Sequence, residues 1–318
     1  MSEPAPAAIV APAIKVEHLS RAFGPIKAVD DLSFEVPAGS VFGFLGPNGA
    51  GKTTTIRLLL GLIPPTSGSA RVLGFDTRTQ ADQIRQHTGA LLEHAGLYER
   101  LSAYDNLEFA GRVDRMPGPE RRTRIEELLT HFGLWDRRDQ RAGEWSRGMK
   151  QKLAVARALL NRPAIVFLDE PTAGLDPEAS VSLRADLVSL AAKDGTTIFL
   201  TTHNLTEAER ICHLVAVIRT GRLLTIGSPA QLRAQSGVPQ VTFTGTGFTA
   251  QVIDDVRHTP GVTAVHQEDG RLTAELGPTG RIPPLVRLLV EAGAELEEVR
   301  PGQTSLEDAF LALMEQSQ

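Results

Sequence analysis

Cysteine is nearly missing from this sequence. Cys212 stands alone among 318 residues, so the chain can form no disulfide within itself and no cysteine cluster for zinc, a usage that fits a reducing, cytosolic compartment. The plain reading of Cys212 is a small core hydrophobe. Long apolar runs are missing too. Nowhere do about 18 consecutive apolar residues occur, so no segment spans a bilayer as a helix, and any membrane role needs a partner. There is no excess of positive charge: the formal net charge is −5, which gives no reason to expect nucleic acid or another polyanion as partner. No secretion signal is expected either, because the Ala- and Pro-rich stretch at residues 1–12 carries Glu3 and lacks a basic start followed by an apolar segment. It reads as a loose arm. The chain shows no internal repeat.

What is present is an ordinary globular composition, 42% hydrophobic and 22% charged, on a length that suits one large α/β domain and a smaller one. Ser40-Val41-Phe42-Gly43-Phe44-Leu45 is a short apolar run bounded by glycines, the pattern of a buried strand leading into a glycine-rich loop. Residues 52–62 read as a helix, with Ile56, Leu59, Leu60 and Ile63 at helical spacing and Pro64-Pro65 to stop it. From about residue 79 to 160 the pattern predicts a helical insert. There Ser102 and Asp105 form a capping box, and Ile125, Leu128, Leu129 and Phe132 make an apolar face that ends at Gly133. Residues 164–168 and 196–201 read as two more buried strands, and the helical stretch 177–192 between them predicts parallel pairing.

Strand-like Val241-Thr242-Phe243-Thr244 then opens a region of alternating strand and helix signals, which predicts a boundary near 238. A last helix is marked by Ser305 with Asp308 as a capping box, then Phe310, Leu311 and Leu313. The expected organisation is a tail at 1–13, a main domain at 14–237 and a C-terminal accessory domain at 238–318.

The chemistry concentrates in Gly46-Pro47-Asn48-Gly49-Ala50-Gly51-Lys52-Thr53. This matches the P-loop pattern, and its place between a predicted strand and a predicted helix is the context the pattern requires. Glycines let the backbone curl so that N–H groups point at phosphate oxygens, and the helix N-terminus adds free donors and a favourable dipole. Lys52 is expected to neutralise β/γ-phosphate charge, Thr53 to offer its hydroxyl to Mg²⁺, and Thr54 to line the same site. Downstream, the apolar strand at 164–168 delivers Asp169 and Glu170 where open α/β sheets place their ligands. Asp169 is placed to hold Mg²⁺, and Glu170 to act as general base on the water that attacks the γ-phosphate.

Ser146-Arg147-Gly148-Met149 followed by Lys150-Gln151-Lys152-Leu153 resembles the signature motif of the ABC ATPases. The resemblance runs from Ile14 to about Gly227, with the family's motifs in order. It implies a P-loop NTPase core with a parallel sheet, an N-terminal antiparallel β subdomain, the helical insert, and a small C-terminal α+β accessory domain. It also implies a homodimer in which two chains sandwich ATP, with Ser146 and the Gly148 backbone of one chain donating toward the γ-phosphate held by the other. Read alone, Ser146 is only a helix cap.

By the same resemblance Ala173-Gly174-Leu175-Asp176 corresponds to the loop that crosses the dimer interface, although Asp176 is equally placed to cap the helix after Pro177. His203, after Thr201-Thr202, matches the switch histidine that contacts the γ-phosphate and orients the catalytic carboxylate. Phe23 stands where the family stacks an aromatic ring on adenine, a role competing with ordinary packing. Glu93, in Leu91-Leu92-Glu93-His94, replaces a glutamine that senses Mg²⁺. A carboxylate still accepts from water or binds Mg²⁺ but loses the amide donor, and the bland alternative is an exposed loop acid.

Trp145, Arg147 and Met149 depart from the commonest signature, and Ser-Arg-Gly-Met resembles the form found in ATPase subunits of ABC-2-type exporters. The function implied is an ATPase on the cytoplasmic face of the membrane, using ATP and Mg²⁺ to drive a separate ABC-2-type permease, outward. An importer ATPase and a soluble, non-transport ABC protein are the alternatives; the chain lacks the second ATPase domain, coiled coil or zinc insertion of the soluble kinds.

Overall fold

The computed structural model describes residues 11–93, 95–236, 240–268, 270–277, 279–302, 307 and 310. Two compact units emerge, Met1–Pro229 and Ala230–Gln318, where the sequence predicts a change near 238. The expected tail falls mostly outside the described residues, and so does the expected last helix around Ser305 and Asp308.

The first unit begins with β1 (Ile14–Phe23), β2 (Ile26–Val36), β3 (Val41–Leu45), α1 (Lys52–Leu59), β4 (Ser67–Val72) and β5 (Phe75–Asp76). There follow α2 (Ala81–His87), β6 (Thr88–Leu91), α3 (Ala103–Val113), α4 (Gly118–His131) and α5 (Arg147–Ala158). The unit closes with β7 (Ile165–Asp169), α6 (Pro177–Asp194), β8 (Thr197–Thr202), α7 (Leu205–Ile211), β9 (Leu214–Arg219) and β10 (Arg222–Gly227). Helix α8 (Pro229–Ser236) leads on from it.

Two sheets share this unit. An antiparallel sheet has the order β2-β1-β4-β5, and a six-stranded sheet has the order β10-β9-β3-β8-β7-β6, parallel except at β10. The predicted parallel pairing of the strands after residues 164 and 196 is therefore seen, Ile165 opposite Thr197. Strands β3, β7 and β8 are buried along their whole length, which is why they read as continuous apolar runs and not as alternation. Phe34, Phe42, Phe44, Phe167 and Phe199 pack ring against ring at 5.3–6.5 Å between the sheets. Each buried ring stabilises the fold by about 1.5–3 kcal/mol, and together they fix the bed under β3.

Two details differ from expectation. The helix after the glycine-rich loop stops at Leu59 instead of 62, because Gly61 takes φ 63° and the amides of Gly61 and Leu62 bond back to Leu58 O and Arg57 O. This Schellman turn satisfies the last carbonyls before the prolines arrive. The stretch 79–160 is not helical throughout either. Residues Thr88–Leu91 form β6, an edge strand held by parallel pairing to β7, a contact made by residues distant in sequence that local pattern does not encode.

The second unit holds β11 (Gln240–Thr246), α9 (Ala250–Arg257), β12 (Val262–Glu268), β13 (Arg271–Leu276), α10 (Ile282–Glu291) and β14 (Glu295–Gly302). Its sheet order is β12-β13-β11-β14, all antiparallel. Val241, Phe243, Leu272 and Ala274 face α9 and α10 in a core of their own.

Candidate active site

Because β3, β7 and β8 run parallel, their C-terminal ends meet at one edge of the sheet, where the chain leaves as the glycine-rich loop, as Glu170 and as His203. Gly51 is the N-cap of α1 at φ 103°, and a Cβ there would meet Ala28 O at 2.3 Å. Only glycine lets the loop turn this tightly against its neighbour. Ala50 is buried, while Pro47, Asn48 and Gly49 are exposed along the loop rim and Thr54 is half-buried on α1.

Five predicted residues converge here. The Thr53 hydroxyl donates to Asp169 Oδ2 at 2.6 Å. Lys52 has a side chain only 6% exposed, and its Nζ donates to Gly46 O at 2.8 Å and Pro47 O at 3.2 Å, with Glu170 Oε1 at 3.1 Å. So deep an ammonium needs that set of acceptors. Glu170 Oε2 accepts from His203 Nδ1 at 2.6 Å. A carboxylate is an acceptor only, so Nδ1 carries the proton and Nε2 is left to face outward.

The backbone is shaped for this. Glu170 adopts φ 50°, a conformation uncommon for a non-glycine residue and one that costs on the order of 1–3 kcal/mol. Its surroundings hold it: the Glu170 amide donates to both Thr201 O and Thr201 Oγ1, and the Pro171 carbonyl accepts from Gln151 Nε2 at 2.7 Å.

Sequence reasoning missed several supports. The Thr201 hydroxyl donates to Asp169 Oδ1 at 2.5 Å, so Asp169 is held by a hydroxyl on each side. The only local signal is the pair of threonines, Thr201-Thr202, at the C-terminal end of a buried strand. Gln151 and Arg147, one turn apart on α5, reach the loop after β7, Arg147 Nη2 donating to Ala173 O at 3.0 Å.

The other predicted residues are not part of this cluster. Ser146 caps α5, accepting from the Met149 amide, and α5 begins at Arg147, with Gly148 in its first turn. Among the described residues no hydrogen bond or ion pair joins Ser146 or Gly148 to residues 46–53. Asp176 does cap α6, accepting from the Ala179 amide at 2.8 Å. Phe23, 46% exposed at the end of β1, lies under the Arg21 guanidinium at 4.5 Å. Glu93 is exposed and paired with Arg57 Nη2 at 3.3 Å.

Among the cavities of this unit, one of about 870 Å³ lies away from the phosphate loop, lined by Ala90, Tyr98, Phe109, Val113 and Arg157. Size does not locate the chemistry here, because a loop that cradles phosphates is an open groove lined by backbone. Tyr98 and Phe109 meet edge to face at 5.0 Å.

Comparison with known proteins gives a consistent picture. The sequence pattern of the ABC transporter family matches residues 29–173. The chain is 36% identical over 304 residues to the daunorubicin resistance ATP-binding protein DrrA3 of Streptomyces coeruleorubidus, covering 95% of each chain. It is 36% identical to the bacitracin transport ATP-binding protein BcrA of Bacillus licheniformis, covering 95% of this chain and 97% of that one. Among solved structures, an ATP-binding subunit of an ABC transporter superposes with TM-score 0.64 at 32% identity, over 70% of this chain and 92% of the other. A dimeric ATP-binding cassette in a post-hydrolysis state, bound to ADP and Pi, superposes with TM-score 0.62 at 25% identity, over 68% and 98%.

Proposed function

This chain belongs to the ABC transporter family as an ATP-binding subunit and ATPase, and from that membership we propose that it dimerises on Mg·ATP and powers a separate membrane permease in export. The observation that carries the reading is the convergence of Lys52, Thr53, Asp169, Glu170 and His203 at the ends of three parallel strands. In this reading the amides of Gly46, Pro47, Asn48, Gly49, Ala50 and Gly51, with Lys52 and Thr54, bind the phosphates. One hydroxyl and one carboxylate, from Thr53 and Asp169, form the oxygen set Mg²⁺ takes when phosphates and water complete its shell. Bound there, Mg²⁺ supplies charge neutralisation on the β- and γ-phosphates.

Glu170 accepts the proton of the attacking water as the bond from the γ-phosphorus to the bridging oxygen breaks and ADP leaves. His203 fixes the orientation of that carboxylate through Nδ1 and offers Nε2 to the γ-phosphate. Phe23 stacks on adenine, and Glu93 contributes to the Mg²⁺ site after leaving Arg57.

The second half of the site comes from a partner chain. Ser146 and Gly148 sit at the exposed start of α5, whose free amides and dipole favour an anion, and Asp176 lies on the crossing loop. The dimeric cassette holding ADP and Pi supports this arrangement. The relatives' names, daunorubicin resistance, bacitracin transport and, for a protein of Paraburkholderia xenovorans 41% identical over 70% of this chain and 73% of its own length, Nod factor export, favour an outward direction.

Among the described residues no helix is long and apolar enough to cross a membrane, so transport needs a permease. We assign the cavity edged by exposed Tyr98 and Phe109 to that permease, and the subunit to the cytoplasmic face of the membrane. Glu170→Gln tests the reading: it is expected to bind ATP and accumulate as a dimer by light scattering, while Lys52→Ala fails to bind. A strictly monomeric, ATP-bound Glu170→Gln variant would overturn the sandwich.

A further inference from the structure

Glu207 is a buried acid that the mechanism above does not use. It lies in the first turn of α7 with 1% of its surface exposed, and its amide donates to Asn204 Oδ1, the cap of the helix. A carboxylate in a first turn is favoured by the helix dipole, which accounts for a capping role and for nothing more. Its side chain does something else. Glu207 Oε2 accepts from Thr172 Oγ1 at 2.7 Å and from Thr202 Oγ1 at 3.2 Å, and Arg184 Nη1 stands 4.0 Å from Oε1.

Thr172 follows Glu170 through Pro171, and Thr202 directly precedes His203. One oxygen atom therefore ties together the two chain segments that present the base and the histidine. The Thr202 hydroxyl also accepts from the Asn204 amide at 2.9 Å, which leaves its proton pointing to Glu207. Burying a carboxylate this completely is costly unless its lone pairs are filled, and here Oε2 takes two threonine hydroxyls, one from the loop after β7 and one from the end of β8, while Oε1 faces Arg184.

We propose that Glu207 is a positioning residue for hydrolysis, holding the Glu170 and His203 segments at the spacing that keeps His203 Nδ1 on Glu170 Oε2. The inference rests on the reading of Glu170 and His203 as the hydrolytic pair. Pro171, with its φ fixed by the ring, and the left-handed Glu170 backbone form a short link between Thr172 and the base, so movement of Thr172 is felt at Glu170. Displacements of about 1 Å at a reacting group cost as much as a hundredfold in rate.

Glu207→Met keeps the side-chain volume and removes the acceptor. It is expected to lower kcat by about tenfold or more while ATP affinity, measured by fluorescent-nucleotide titration, changes by less than about threefold; Glu207→Gln, which keeps an acceptor oxygen for both threonines, recovers kcat to within about threefold. In a His203→Ala background Glu207→Met is expected to cost little more, since both act on one unit. If Glu207→Met does not fold, Thr172→Val and Thr202→Val each remove one arm, with kcat lowered several-fold and ATP affinity retained.

Wild-type kcat in Glu207→Met, or in both valine variants, overturns the proposal, as does a loss of kcat matched by an equal loss of ATP affinity. Glu170→Gln run alongside separates the two levels of inference: normal turnover there sinks the hydrolytic pair itself, whereas an inactive Glu170→Gln beside an active Glu207→Met sinks only the positioning role.

Discussion

Arg147 shows how a single departure from a family pattern acquires a physical meaning. This side chain reaches across to the loop after Glu170. There Nη2 donates to Ala173 O at 3.0 Å, and a Cβ on Gly174 would meet Nη1 at 2.4 Å. A hydrogen bond from an exposed guanidinium contributes about 0.5–1.5 kcal/mol, so Arg147→Ala is expected to reduce kcat about 3–10-fold in a steady-state ATPase assay. Unchanged kcat would mean the arginine only decorates the surface. The convergence of Lys52, Thr53, Asp169 and Glu170 was legible in the sequence because it follows from spacing along one loop and one strand end. Thr201 and Glu207 were not, because their partners, Asp169 for the one and Thr172 for the other, come from distant stretches of chain brought near only by the pairing of β7 with β8. Cys212 sits between these cases: its burial followed from its chemistry, and that burial, with nearby Glu207, pushes the thiol well above its ordinary range.

Among the elements, the helices α3 and α4 are joined by a charged clasp that apolar periodicity cannot reveal. Glu108 on α3 accepts from Arg121 Nε at 2.6 Å and Nη2 at 2.8 Å on α4, and from Arg112 Nε one turn away at 2.9 Å. Hydrogen bonding to Arg121 outweighs the opposing effect of burial, and with Arg112 it holds the Glu108 carboxyl at about 2, below its ordinary 4.5. A carboxyl depressed in the folded state contributes stability above its unfolded value, and that contribution is lost as pH falls from about 4.5 toward 2. The shift corresponds to ~3 kcal/mol at neutral pH, and the clasp is sheltered enough, with Glu108 17% and Arg121 12% exposed, to keep much of it. Glu108→Gln is therefore expected to lower the urea midpoint clearly at pH 7, with the gap to wild type shrinking by more than half as pH is taken down to 3 and closing only below about 2. A gap that stays constant with pH would show that packing, not charge, joins the helices. The apolar face of α4, Ile125, Leu128 and Leu129, was readable from its period, whereas β6 was not, since four residues at a sheet edge carry too little pattern to outweigh the helical signals around them.

At the scale of the whole molecule, each of the two units has apolar packing of its own. Among the described residues one apolar cluster lies within the first unit, from Ala13 to Ile218, and another within the second, from Val241 to Ala294. Each unit thus closes its own hydrophobic interior, the property that lets a domain fold alone. Every residue assigned to nucleotide, from Phe23 to His203, lies in the first unit. A fragment of residues 1–236, ending with α8, is expected to fold and to bind ATP within about threefold of the full chain's affinity, since every residue assigned to nucleotide lies within it. Circular dichroism checks the fold and fluorescent-nucleotide titration the affinity. A folded fragment whose affinity drops by more than about thirtyfold, roughly 2 kcal/mol, would assign the second unit a direct part in the site. Preserved affinity with altered turnover would instead place its influence on the proposed pairing of two chains, the step assigned above to Ser146 and Gly148.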